Sequence, residues 1–173
     1  MRILTALLVG LLFTACAVLK GPTLVELKPT TTNQFLETPF GHIESIDAFK
    51  QNMPVGTKVQ KLIKRAPRSH HKPDTIYNYL YKKSKISVYK TQFNQEFVLG
   101  GIIINPGIEF SNGIRQGMEK SKFFKSFTDM ENTGRDTIVI KHPKIDRTFN
   151  FYFNKKERLE KVTFTGHNPQ NQN

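Results

Sequence analysis

Alternation of apolar and polar positions is clearest in the last quarter of the chain. In Arg147–Phe153 (RTFNFYF), Phe149, Phe151 and Phe153 fall on one side and Thr148, Asn150 and Tyr152 on the other. That period of two is the mark of a half-buried strand. After the polar turn Asn154–Glu157, Arg158–Gly166 returns with Val162 and Phe164 inward and Lys161, Thr163 and Thr165 outward. The pair predicts an antiparallel hairpin with one solvated face. Thr75–Tyr81 and Lys85–Lys90 predict a second hairpin, turning at Lys82-Lys83-Ser84. Phe97–Asn105 (FVLGGIIIN) is the most apolar run of the interior and reads as a buried strand, bent or bulged at Gly100-Gly101.

Helical spacing marks three stretches. Val59, Leu62, Ile63 and Ala66 recur at i, i+3, i+4 and i+7, which predicts a helix closed by Pro67. Phe123, Phe124 and Phe127 give a shorter equivalent, ended by Thr128–Gly134. Ile43, Ile46 and Phe49 predict a short helix within Glu44–Met53, closed by Pro54. A weak internal repeat underlies two of these. Gly56–Ile63 aligns with Gly117–Phe124 at an offset of 61, and both segments lead to an Asp-Thr-Ile triplet, at Asp74 and at Asp136. Helix then strands, twice over, predicts an α+β domain: short helices packed on one face of an antiparallel sheet, with two degenerate helix–hairpin repeats at 53–91 and 112–166. The domain is expected to span 39–166. A tether (16–38), rich in Pro, Gly and Thr, precedes it, and a polar tail (167–173) expected to be disordered follows.

The amino terminus has a different character. Arg2 is followed by an uncharged run from Ile3 to Leu19 that holds the only cysteine, Cys16. A positive start, an apolar stretch and the small pair Thr14-Ala15 are the anatomy of a secretory signal. Leu12-Phe13-Thr14-Ala15-Cys16 resembles the lipobox of bacterial lipoproteins, departing from it at Phe13, where that family prefers Leu. The resemblance implies a signal peptide at 1–15, removed before a lipidated Cys16 that anchors the chain. Ala17 after the cysteine, in place of an acidic residue, points to the outer membrane by the same likeness. Two alternatives stay open: an ordinary signal cut after Ala15 or Ala17, and an uncleaved anchor, since 17 uncharged residues reach the lower limit for spanning a bilayer.

A second resemblance rests on Gly117-Met118 before a short helix, a Phe-rich strand, a Lys-rich turn and a closing Val162-Thr163-Phe164 strand. This order is similar to the small α+β module of bacterial envelope lipoproteins. The module occurs in the small lipoprotein of the outer-membrane β-barrel assembly machinery and, in tandem, in the β-lactamase-inhibitor-protein fold. It covers roughly Asn112–Gly166 and, more faintly, Met53–Thr91. It implies a non-enzymatic module that binds other proteins through an exposed sheet face.

Charge sharpens this picture. The chain of 173 residues carries 26 Lys and Arg against 14 Asp and Glu, a net +12. Lys58, Lys61, Lys64, Arg65, Arg68, His70, His71 and Lys72 crowd one stretch without an acid. Such a cluster suits nucleic acid in general. An envelope address instead implies lipopolysaccharide phosphates, anionic lipid or the acidic face of a partner protein. The expected contact surfaces are Lys61, Lys64, Arg65, Arg68, His70, His71 and Lys72, with the sheet face bearing Tyr152, Lys161 and Thr163. His70-His71 supplies two imidazoles among cations, short of the three or four ligands of a tight metal site. No cofactor is implied, because no nucleophile elbow, HExxH helix, Walker loop or dinucleotide fingerprint is present. An inhibitor or immunity protein against a periplasmic enzyme is a second expectation. A hydrolase of envelope polymers is a third; it would need acids or histidines converging near Asp74, His70 or Asp136.

Overall fold

The computed structural model describes residues 28–64 and 73–166. Its strands form a seven-stranded antiparallel open sheet: β1 (Lys58–Lys64), β2 (Asp74–Tyr81), β3 (Ser84–Lys90), β4 (Glu96–Ile103), β5 (Thr137–Lys141), β6 (Thr148–Phe153) and β7 (Leu159–Thr165). The spatial order is β1-β2-β3-β4-β7-β6-β5. Three short helices accompany it: α1 (Thr32–Glu37), α2 (Ile46–Asn52) and α3 (Lys120–Lys125). The architecture is α+β.

Registers place one residue of each strand in a rung across the sheet. Val59, Tyr79, Ile86, Gly101, Phe164, Phe149 and Ile140 make one such rung, so their side chains share a face. The neighbouring rung, Lys58, Leu80, Lys85, Ile102, Thr163, Asn150 and Val139, belongs to the opposite face. The first is the core face from Tyr79 to Ile140: Phe149, Phe151, Ile86, Val162 and Ile103 are sealed from solvent. Each helix reaches that face with a phenylalanine. Ring centroids lie 5.2 Å apart for Phe35 of α1 and Phe149, 5.6 Å for Phe49 of α2 and Tyr79, and 4.8 Å for Phe123 of α3 and Phe151. Most of these contacts are edge-on or tilted, the arrangement that brings a ring's positive edge to a neighbour's negative face.

Helices of six or seven residues are too short to stand alone, so caps and packing hold them. α1 begins with a capping box: the Thr31 hydroxyl accepts from the Gln34 N–H, and the Gln34 side chain accepts from the Thr31 N–H. Asp129 then accepts from the Thr32 N–H and hydroxyl, tying α1 to the segment after α3. Ser45 caps α2, whose first N–H also donates to Glu96 of β4 at 2.8 Å.

The two sub-sheets, β1–β4 and β5–β7, meet along β4 and β7. Glycine makes that junction possible. A Cβ on Gly101 would lie 2.5 Å from the Lys85 carbonyl and 2.6 Å from the Phe164 ring. Gly100 adopts φ +147 beside the Phe164 carbonyl, and a Cβ on Gly166 would collide with the Val98 carbonyl. The expected irregularity at Gly100-Gly101 is a bulge in the β3–β4 register, with Leu99 left unpaired between Val98 and Gly100.

A buried ion pair fixes the first half of the domain to the second. Arg147, just before β6, donates to the Leu36 carbonyl at 2.6 Å and to the Glu44 carboxylate at 2.7 Å. Both side chains are largely shielded, and the Glu44 Oε1 is buried without a partner. Burial pushes the Glu44 carboxyl above its ordinary range, against the opposing pull of Arg147.

Several expectations change. The predicted helix from Val59 to Ala66 is strand β1 over its described part. Every residue of β1 is exposed, so no core enforces the helical stripe, and the β-branched Val59 and Ile63 suit pairing with β2 instead. Residues 53–91 therefore do not form a helix–hairpin unit. What the two aligned segments share is their ends. Pro54–Thr57 and Arg115–Met118 are turns with 3.1 Å closing hydrogen bonds and third-position glycines at φ +88 and +89. The two Asp-Thr-Ile triplets stand at the starts of β2 and β5, which occupy equivalent places in the strand order around the junction. The stretch read as tether contains α1, with Phe35 and Leu36 in the core, so the folded domain begins before residue 39. Lys120, at the start of α3, is buried against the Phe153 ring, 3.5 Å from Asp136. The first part of the tether and the tail 167–173 lie outside the described residues.

Two stability predictions follow from the junction and the buried pair. Gly101→Ala should lower the urea midpoint by the equivalent of about 1–3 kcal/mol, the cost of overpacking against backbone. Arg147→Ala should cost about 3 kcal/mol at pH 7 by leaving a buried carboxylate unpaired. Glu44 has a folded pKa above its unfolded one, so its cost is present above the folded value and is relieved as pH falls through it. The Arg147→Ala deficit should accordingly shrink as pH is lowered from 7 in urea titrations.

Candidate binding surface

Strand β1 forms one edge of the sheet and carries Lys58, Lys61 and Lys64. The β2–β3 turn adds Lys82 and Lys83, and Lys85 follows at the start of β3. All six are exposed, and none makes an ion pair among the described residues. Three lie over tyrosine rings: Lys61 over Tyr77, Lys64 over Tyr89 and Lys82 over Tyr81, at 5.3–5.8 Å. These contacts give the aliphatic stems a surface while the ammonium groups stay in water.

Concavities flank β1 on both faces. On the face away from the core, Leu62, Ile76, Ile102 and Lys85 line a shallow depression of about 470 Å³, floored by Gly100 and Gly101 and by the Asn78–Ser87 hydrogen bond of 2.7 Å. On the core-side face, Lys61, Ile63, Thr75, Tyr77 and Lys90 line a smaller one of about 210 Å³. Val59, Leu62 and Ile63 are 50%, 44% and 52% exposed, an unusual density of bare aliphatic surface on one strand.

The other expected surface assembles as alternation predicts. Tyr152 and Lys161 are cross-strand partners, with the Lys161 ammonium 4.1 Å from the ring centroid. Thr163 accepts from the Asn150 side chain at 3.3 Å and lies 3.5 Å from the Tyr152 hydroxyl. This cluster sits on β6 and β7, whereas Lys61 and Lys64 are on β1. With β2, β3 and β4 between, about 19 Å separates β1 from β7, so the two groups do not form one site. Cys16, Arg65, Arg68, His70, His71 and Lys72 lie outside the described residues.

Asp74 and Asp136, weighed as a catalytic pair, stand towards opposite edges of the sheet. Asp74 accepts from the Tyr89 hydroxyl at 2.5 Å and from the Gln92 N–H at 2.8 Å. The Tyr89 bond, then that N–H, hold its carboxyl below the ordinary range. Burial, helped by Asp74, pushes the Tyr89 phenol up to about 12. Asp136 is exposed beside Lys120. His142 accepts backbone N–H bonds from Lys144 and Ile145 and holds the turn before β6. Among the described residues, no three of His, Cys, Asp and Glu converge as a metal site would require. Nor is any helix among them long and apolar enough to cross a membrane.

Compared with known protein families, characterised proteins and solved structures, the chain matches none.

The Asp74–Tyr89 bond gives a direct check on this corner. In a spectrophotometric titration of the tyrosines, Asp74→Asn should lower the Tyr89 midpoint towards 10, because a neutral amide no longer disfavours the phenolate. The titration of Tyr79, pushed up to about 12 chiefly by its own burial, should stay where it is.

Proposed function

We propose that this chain is a non-catalytic binding protein of the bacterial cell envelope, anchored through a lipidated Cys16. It engages another envelope protein through the cationic edge of its sheet. The observation that carries the reading is the edge formed along β1 and continued at the β2–β3 turn and the start of β3, where six exposed lysines accompany the bare Val59, Leu62 and Ile63. A surface of that composition suits an acidic partner, with opposite charges steering encounter and apolar side chains providing contact area. Each helix sets a phenylalanine on the Phe149 face, and among the described residues no helix is seen to do so on the opposite face, which bears Tyr152, Lys161 and Thr163. That arrangement supports the same reading and agrees with the resemblance to the envelope lipoprotein module. The anchor would hold the cationic domain beside anionic headgroups and lipopolysaccharide, where each near-surface Lys or Arg adds about 1 kcal/mol of attraction. The outer membrane is the proposed address, and nucleic acid is not a proposed partner.

Intact-mass analysis of membrane-extracted protein tests the anchor. Loss of residues 1–15 together with a gain of acyl chains is the expected result, and Cys16→Ala should abolish both and release the domain from membranes. An unmodified or simply cleaved chain would overturn it. The binding half of the reading predicts crosslinks from the anchored protein to an envelope protein, lost when the salt is raised several-fold.

A further inference from the structure

We infer that β1 is an acceptor for strand addition, and that its occupant is an acidic, extended segment of another protein. The inference deepens the proposed binding role by naming the mode of contact and the chemistry of the partner. Among the described residues β1 pairs only with β2, so half of its backbone N–H and C=O groups point outward without a strand to receive them. The strand is seven residues long and exposed on both faces. The opposite edge strand, β5, is shorter, with Ile138 and Ile140 sunk in the core. Strand addition takes its affinity from main-chain hydrogen bonds and its specificity from depressions that receive alternate side chains. Both kinds of feature meet at β1: Leu62 forms the outer wall of the larger depression, and Lys61 and Ile63 the outer wall of the smaller one on the other face.

Charge selects the occupant. A second copy is disfavoured, because the antiparallel pairing that uses all seven residues would set Lys61 opposite Lys61 and Lys58 opposite Lys64. Like charges directly opposite are destabilising, and lysine is a common guard of exposed edges. The same three lysines would each face an acid on a segment patterned acid–apolar–apolar–acid–any–apolar–acid, with the apolar positions beside Ile63, Leu62 and Val59. Such cross-strand pairs each stabilise an assembly modestly, and together they set its register.

The test uses the whole mature protein and a synthetic probe, Glu-Ile-Val-Glu-Thr-Val-Glu, with Lys-Ile-Val-Lys-Thr-Val-Lys as its charge-reversed control. Amide NMR should show shifts and slowed hydrogen exchange at Lys58–Lys64 with the acidic peptide alone. The triple variant Lys58→Glu, Lys61→Glu, Lys64→Glu changes only exposed side chains, and it should weaken the acidic peptide at least tenfold and gain the control. Perturbation centred on Tyr152, Lys161 and Thr163 would overturn strand addition while leaving the binding role standing. So would equal binding of both peptides, no binding of either, a concentration-dependent dimer protected at β1, or binding of anionic vesicles through β1 that the acidic peptide does not displace. The binding role itself fails separately, if the anchored protein yields no salt-sensitive crosslink to an envelope protein.

Discussion

Everything in this domain depends on the line where β4 meets β7. Six of the seven strands belong to two antiparallel meanders, β2-β3-β4 and β5-β6-β7, with β1 added at one edge, and each meander could bury only one face of a small sheet. Joined, they give Phe149, Phe151, Phe164, Ile86 and Ile103 a common surface wide enough to receive three helices' worth of phenylalanine. The joint has no room for side chains on its backbone side. The Phe164 ring stacks on Phe149 at 4.8 Å and lies across Gly101, while the Gly166 N–H donates to the Leu99 carbonyl released by the bulge. Three glycines in a β-rich domain would ordinarily weaken it through backbone entropy and missing contacts. Here their lack of a Cβ is what lets two half-domains close into one.

The Arg147–Glu44 pair works on the same problem from the other side. A phenylalanine-rich core is adhesive but poor at fixing a single arrangement, since rings of similar size can exchange places at small cost. A guanidinium whose donors are received by the Leu36 and Glu37 carbonyls and the Glu44 carboxylate favours one placement of the connection between α1 and α2 relative to β6. Its energetic contribution is offset by desolvation, which the raised Glu44 pKa records.

How far the sequence could be read tracks where burial acts. β6 and β7 are legible because a deep core lies on one side of them and water on the other, so Phe149, Phe151 and Phe153 must alternate. β2, β3 and β4 are legible for related reasons, and the bulge is marked by its glycines. β1 is not, because nothing buries it; the i, i+3, i+4 spacing of Val59, Leu62 and Ile63 is a pattern without a cause, and the pairing with β2 decides. α1 had a local signal, the Thr31–Gln34 capping box ahead of Phe35-Leu36, obscured by Pro29 and the threonine run. The partnership of Arg147 with Glu44 had no local signal, since the two lie 103 residues apart. At the surface, alternation assigns Tyr152, Lys161 and Thr163 to one face, and the charge cluster marks Lys58, Lys61 and Lys64, while Lys82, Lys83 and Lys85 read only as a turn and a strand start. That those lysines line a bare sheet edge depends on topology, which a single sequence does not encode locally.

The position of β7 has a further consequence for biogenesis. β7 is the last of the described strands to be made, yet it belongs in the interior of the sheet, between β4 and β6. Until residues 159–166 have left the ribosome, β4 lacks its partner, Phe149 and Phe151 have no β7 to pack beside, and the two meanders have nothing to join them. The β4–β7 junction therefore cannot close before β7 has been made. For a chain that bears an export leader, as proposed here, that delay is an advantage, because secretion channels thread unfolded polypeptide and reject a finished sheet.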